Sequence, residues 1–219
     1  MRIFVAGATG KTGRQIVRQL NEQDVPVVAL VRDLEKAHQV LPATTQFVVG
    51  DVLQPSSFES ALTDCNFLIC ATGAAPSLDP TGSYQIDYQG TKNLVDIAKK
   101  QEIEHFVLVS SLCVSRFFHP LNLFWLVLYW KKQAEKYILA SGLDYTIVRP
   151  GGLKDEDNLD NIIMSTADTL FEGSISRAKV AQVCLAALSQ PQAKSKIVEV
   201  VASSQAASKT WSQLFTDIS

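Results

Sequence analysis

The stretch Ile3-Phe4-Val5-Ala6-Gly7-Ala8-Thr9-Gly10-Lys11-Thr12-Gly13-Arg14 decides how this chain is read. Its apolar run reads as a buried strand that breaks into three glycines spaced three apart. Ile16, Val17 and Leu20 then recur at helical spacing, so strand, glycine turn and helix follow one another. That order is the context a dinucleotide-binding fingerprint needs. The glycines let the backbone turn sharply and approach a pyrophosphate, and the helix start offers it unpaired N–H donors. A P-loop fails on spacing, because Val5 stands where its first glycine belongs and the loop is too short for a triphosphate. The candidate cofactor contacts here are Gly7, Thr9, Gly10, Lys11, Thr12, Gly13 and Arg14.

With 219 residues, 47% of them hydrophobic, the chain can bury the large core of one α/β domain. A net charge of −2 supplies no global field for nucleic acid or anionic lipid, so anion binding has to be local. Cys65, Cys70, Cys113 and Cys184 form no CxxC and sit in or beside apolar runs, which fits reduced thiols in a cytosolic-type compartment. His38, His105 and His119 are scattered, giving no metal motif. No signal peptide is expected before the first strand. The longest apolar patch, Leu121 to Trp130, is about half of what a bilayer span requires, so no transmembrane segment is expected.

Pro26 to Val31 reads as a second buried strand ending at Arg32, nineteen positions after Gly13. An NAD site usually carries an acid there for the ribose 2′-hydroxyl, whereas a basic residue accommodates the 2′-phosphate of NADP. Arg32 can grip a phosphate with its planar fork, and Arg14 and Lys36 could reach the same spot. NADP(H) is therefore expected ahead of NAD(H). Gln46 to Val49 reads as a third strand ending in Gly50-Asp51-Val52, where Asp51 either accepts from an adenine amino group or caps a helix near Pro55. Asn66 to Ala71 is a fourth strand, and the small Thr72 and Gly73 at its end let a ribose pass close by. Pro76 to Gly82 is a loop.

A long helix is expected from about Tyr84 to Gln101, then a fifth strand, His105 to Val109, ending in Ser110-Ser111. Strands and helices alternate to this point, which predicts a Rossmann-type, doubly wound parallel sheet in a single domain covering residues 1–219. Phe117 to Trp130 is aromatic-rich and apolar on nearly all sides. A buried crossover helix, a dimer or partner surface and a membrane-surface contact are all open readings of it. A polar helix follows from Lys131 to Ser141, closed by Gly142. Asp144 to Arg149 is a sixth strand, followed by Pro150-Gly151-Gly152. Lys154 to Asp160 reads as a flexible lid within a small substrate region at about 151–176. A helix from Arg177 to Leu188, a last strand from Lys196 to Val201 and an exposed short helix from Lys209 complete the chain.

With these pieces placed, the chain resembles the short-chain dehydrogenase/reductase superfamily in its atypical, NmrA-like, NAD(P)-binding branch. The residues that carry this are Gly7 to Gly13, Arg32, Gly50-Asp51-Val52, Ser110-Ser111 and Ser141 to Gly152. Asn122 to Trp125, Trp130-Lys131, Asp168 to Phe171 and Ser195 to Ala202 narrow the resemblance to the NADP-binding domains of the chloroplast translocon-associated, dehydrogenase-like group and its cyanobacterial relatives.

The resemblance implies a pyrophosphate at Gly10 to Arg14, a 2′-phosphate on Arg32 and adenine near Asp51 and Val52. It puts the nicotinamide near Thr72, Gly73, Ser110, Ser111, Lys131, Pro150 and Gly151. In catalytic members a tyrosine four residues before a lysine handles the substrate proton, and a serine at the fifth strand's end orients the carbonyl. Here Ser111 and Lys131 match the serine and lysine, but Val127 holds the tyrosine position. Tyr129 is about 200° around the helix from that face and cannot simply substitute. Some members of the branch work without the tyrosine.

Two functions stay open. One is an NADP(H)-dependent reductase of a small electron acceptor, such as a quinone, flavin or tetrapyrrole. The other is a redox-sensing assembly protein that presents Phe117 to Trp130 to a photosynthetic partner or, as a peripheral cytoplasmic protein, to a thylakoid membrane.

Overall fold

The computed structural model describes residues 1–75, 79–123 and 125–218. Pro76, in the expected loop, and Phe124, in the aromatic run, lie outside the described residues.

Short β-rich apolar runs form β1 (Ile3–Ala6), β2 (Val27–Val31), β3 (Gln46–Val49), β4 (Phe67–Cys70), β5 (His105–Val109) and β6 (Tyr145–Pro150). They join β8 (Asn161–Thr166) and β10 (Lys196–Ser203) in one eight-stranded sheet of order β3-β2-β1-β4-β5-β6-β10-β8. Every pair is parallel except β8 against β10. Strands β1, β2 and β5 are buried along their whole length, as expected of a parallel sheet covered on both faces. A second, two-stranded sheet pairs β7 (Gly152–Lys154) with β9 (Ser174–Ser176).

The helices are α1 (Lys11–Glu22), α2 (Leu34–Val40), α3 (Thr91–Lys100), α4 (Val127–Leu139), α5 (Arg177–Ser189) and α6 (Trp211–Thr216). Side chains alternate along β1: Ile3 and Val5 pack against α1 and α5, whereas Phe4 and Ala6 pack against α3. On the first face lie Ile16, Val17, Leu20, Val180 and Val183, all buried; Leu94, Val95 and Ala98 answer on the other. Each such aliphatic side chain contributes roughly 1.5–3 kcal/mol by burial. The chain leaves β1 first toward β3 and then returns to fill the other side. The carboxyl ends of β1 and β4 therefore frame the switch point where ligands bind in such sheets.

The doubly wound sheet matches the sequence expectation, and several local expectations need correction. The segment before Val127 is no buried crossover helix. It runs as turns with a short 3₁₀ piece at Pro120–Leu123, and Phe118 and Leu123 are 97% and 84% exposed. Trp125 and Leu126 both sit at positive φ, a conformation costly for bulky residues, so the helix starts only at Val127. The expected helix from Tyr84 opens with a π-helical turn, Tyr84–Gly90, before α3 begins. Near Pro55 there are two 3₁₀ turns in place of a helix. The terminal helix is not merely exposed, since Leu214 is buried and Phe215 is buried within the core.

Two acids of the Lys154 to Asp160 segment have ion-pair partners. Asp155 pairs with Lys11 (2.6 Å) and Arg177 (2.5 Å), and Asp157 pairs with Lys179 (2.5 Å).

Candidate functional site

The glycine turn sits at the carboxyl end of β1. Gly7 has φ +78°, and a Cβ there would lie 2.5 Å from the Ala71 carbonyl oxygen at the end of β4. A Cβ on Gly13 would lie 2.1 Å from the Gly7 carbonyl oxygen, so this glycine lets α1 close onto β1. Gly10 is exposed at the N-cap of α1, which carries no side-chain cap and no acid in its first turn. The orphan N–H groups and the positive end of the helix dipole are thus left for an anion. Arg14 braces the same turn: its Nε donates to the Thr9 carbonyl oxygen at 2.8 Å. That bond commits part of a guanidinium that the sequence offered to the 2′-phosphate.

At the end of β2, Arg32 is exposed and makes no ion pair or side-chain hydrogen bond among the described residues. Asp33, the nearby acid, is taken up as the cap of α2, accepting from Lys36 N at 3.0 Å. The next strand end lies alongside, because Gly50 N donates to the Val31 carbonyl oxygen at 2.9 Å. Asp51 was expected on adenine or at a helix cap near Pro55. Its Oδ1 accepts from Leu53 N at 2.8 Å and closes a local turn in place of a helix cap. The Val52 side chain belongs to the core, packed where a Gly90 side chain would otherwise stand.

Across the ends of β1, β4, β5 and β6 runs one cleft of about 860 Å³. It brings together Gly10, Lys11, Thr12, Thr72, Gly73, Ser110, Ser111, Lys131, Pro150 and Gly151. Gly7, Thr9, Gly13, Arg14, Arg32, Asp51 and Val52 do not line it; they form its floor or lie beyond it along the β2 and β3 ends.

Lys131 lies one helical turn past Val127 on α4. Its Nζ is 2.9 Å from Oδ1 of Asp87, whose side chain is wholly buried in the π-helical turn. Burial disfavours the Lys131 ammonium, but the Asp87 carboxylate outweighs this and holds the lysine above its ordinary value. Neither Asp87 oxygen accepts a well-aligned hydrogen bond among the described residues, so the ion pair is its compensation. Ser110 and Ser111 differ in role. Ser110 Oγ donates to Glu135 Oε1 at 2.6 Å, whereas Ser111 makes no side-chain hydrogen bond among the described residues. Tyr129 packs with Phe117 and Trp130 and does not line the cleft, so no tyrosine replaces Val127 there.

Behind Ser110 stands a buried ionic network. Arg149, fully buried, makes a two-pronged bond to Glu135 (2.9 and 2.7 Å) and reaches Asp168 (2.8 Å) and Glu199 (3.1 Å). Burial opposes the guanidinium charge, and Glu135 with the other acids more than offsets it, so Arg149 stays charged. Glu199 also accepts the backbone N–H groups of Asp168, Thr169 and Leu170 (2.9, 3.0 and 2.7 Å). The network fixes the strand and loop ends that carry Ser110, Pro150 and Phe171.

Sequence reasoning missed Asp87, His119, Phe171 and Arg177, of which the last three line the cleft. An acid flanked by Ile86 and Tyr88 on a helix was a usable signal for Asp87; the others are single residues on irregular segments or at a helix start. Burial drives the four thiols away from reactivity, pushing Cys65 up to about 11 and Cys184 up to about 12.

An unobstructed glycine turn, an uncapped helix start and a cleft long enough for the far half of a dinucleotide fit a nicotinamide cofactor. Comparison with known proteins agrees. A family model described as NAD(P)H-binding matches residues 7–191. A chloroplastic protein of Arabidopsis thaliana, At2g34460, is 44% identical over 99% of this chain and 82% of its own length. Protein TIC 62 of Pisum sativum, also chloroplastic, is 39% identical over 99% of this chain, which spans only 46% of that protein. A solved Bacillus halodurans protein, named as an NAD-dependent epimerase/dehydratase, superposes with a TM-score of 0.87 at 27% identity, covering 99% of both chains.

Proposed function

Because this chain belongs to the NAD(P)H-binding family, in the NmrA-like branch of the short-chain dehydrogenase/reductases, we propose that it is an NADP(H)-dependent reductase of a small electron acceptor. The observation that carries this reading is the single cleft joining the glycine turn at Gly10 to Thr12 with Ser111 and Lys131. The first-turn N–H groups of α1 hold the pyrophosphate, and Arg32, beyond the cleft at the end of β2, holds the 2′-phosphate. The free Ser111 hydroxyl orients the acceptor oxygen. Lys131, kept cationic by Asp87, faces the charge that builds there. The bound cofactor supplies the hydride. With Val127 in the tyrosine position the proton comes from water, and turnover is slower by the 10²–10⁴-fold that a positioned acid typically contributes.

The measurement is NADPH oxidation with a panel of quinones, flavins and tetrapyrroles. Steady consumption that is lost in Ser111→Ala supports the reductase. Tight NADP(H) binding without turnover supports the second reading, a redox-sensing assembly protein. That alternative is favoured by one feature, the apolar surface of Phe117, Phe118, Leu121, Leu123 and Trp125 beside the cleft. It would meet a protein partner or the face of a photosynthetic membrane; no helix among the described residues is long and apolar enough to cross one.

A further inference from the structure

Part of the cleft's lining has no role assigned so far: Leu112, His119, Leu121, Leu153 and Phe171. Phe171 is 45% exposed, unusual for a large aromatic ring placed against a core wall. Its backbone is over-determined. Glu199 grips the three preceding N–H groups, Asp168 is held at φ +65°, and Cys113 Sγ donates to the Phe171 carbonyl oxygen at 3.4 Å. Its ring is backed by the Arg116 guanidinium, 3.7 Å from the ring centre, and Arg116 does not line the cleft.

Cys113, Arg116 and His119 stand on successive tight turns, with Arg116 N donating to the Cys113 carbonyl oxygen (2.9 Å) and His119 N to that of Arg116 (3.2 Å). The segment that clamps Phe171 therefore also delivers His119 to the cleft. His119 Nδ1 accepts from Leu121 N at 3.2 Å. With Nδ1 accepting there, Nε2 is the ring's N–H donor, and it has no partner among the described residues.

A half-exposed ring held this firmly, lining the same cleft as a free N–H donor, is a recognition surface. We propose that Phe171 and His119 form the acceptor subsite, which takes a flat conjugated molecule stacked on Phe171 and hydrogen-bonded through a carbonyl oxygen to His119. The proposal names the substrate class for the reductase reading above and rests on it. Stacking on an aromatic side chain is sequence- and substituent-tolerant, so flatness, more than any one functional group, sets the preference. Glu199 and Arg149 act here as positioning residues only.

The test is binding, which needs no turnover. Riboflavin fluorescence is titrated with the NADP⁺-loaded protein, in wild type, Phe171→Ala, Phe171→Trp and His119→Ala. Phe171→Ala is expected to weaken riboflavin about tenfold or more, Phe171→Trp to keep it within threefold, and His119→Ala to weaken it about fivefold, with NADP⁺ affinity unchanged throughout. Riboflavin binding within twofold of wild type in Phe171→Ala overturns the subsite, as does a wild-type protein that binds NADP⁺ but no riboflavin. Phe171-dependent binding in a protein that oxidises no NADPH upholds the subsite and sinks the reductase reading instead.

Discussion

Asp87 and Lys131 form a buried ion pair directly beneath Gly73, at the point where the glycine turn's cleft meets α4. A Cβ at Gly73 would lie 3.8 Å from the carboxylate and 3.9 Å from the ammonium, so the pair underlies the cleft floor without blocking it. The lysine keeps its charge because the acid is there; burial alone would push its pKa down.

Removing that acid therefore has a defined sign. In Asp87→Asn the main group that opposes desolvation is gone, leaving only the weaker Cys70 and Glu135 contributions, and the Lys131 pKa falls. The pH profile of kcat/KM should stay flat on its alkaline side in wild type, whereas Asp87→Asn should lose activity as pH rises above neutrality. Superimposable profiles would show that Asp87 does not control the lysine.

Arg149 is expected to be the costliest charged residue to remove. In Arg149→Met, Glu199 stays buried without its cation and Glu135 keeps only the longer contact to Lys132 (3.6 Å); breaking such a buried pair typically costs about 3–5 kcal/mol. Arg149→Lys should recover little of that, since an ammonium cannot reproduce the two-pronged bond to Glu135. Urea unfolding measures both. A loss below about 1 kcal/mol in Arg149→Met would mean that the network contributes nothing net.

His105 gives the fold an acid limit. Burial foremost, with Lys194 adding to it, pushes its pKa down to about 4. The unfolded chain takes up this proton near pH 6.5 and the folded one resists until about 4, so stability is full above that window and falls as pH drops through it. The span is worth on the order of 3 kcal/mol. The difference in unfolding free energy between wild type and His105→Gln should therefore shift by roughly that amount between pH 7 and pH 4. No change in the difference would show that His105 protonates freely in the folded protein.

How much of this was legible follows from how local each signal is. The turn from Ile3 to Arg14 is a contiguous pattern whose chemistry and structure coincide, and it was readable at once. Buried parallel strands announce themselves by apolar runs; Arg32 was singled out by its place at a strand end, and Ser111 through the family resemblance. The strands within residues 151–176 were not legible because β7 and β9 are three residues each, with no period to detect. Of the readings open for Phe117 to Trp130, the buried helix fails because apolar composition fixes a preference for burial and not its achievement; two consecutive positive-φ residues prevent that helix. His119 and Phe171 meet only in three dimensions, through the clamp of Cys113 and Arg116, and no one-dimensional pattern carries that.

The claim that joins cofactor and chemistry is the role of Arg32 in an NADPH-dependent reduction. The direct measurement is kcat/KM for NADPH and for NADH, with a quinone or flavin as acceptor, in wild type and in Arg32→Ala. Wild type should favour NADPH. Arg32→Ala should lose about 1.5–3 kcal/mol, roughly 10- to 150-fold, for NADPH and leave NADH almost unchanged. Equal losses for both nucleotides, or a wild type that oxidises neither with any acceptor, would contradict the account.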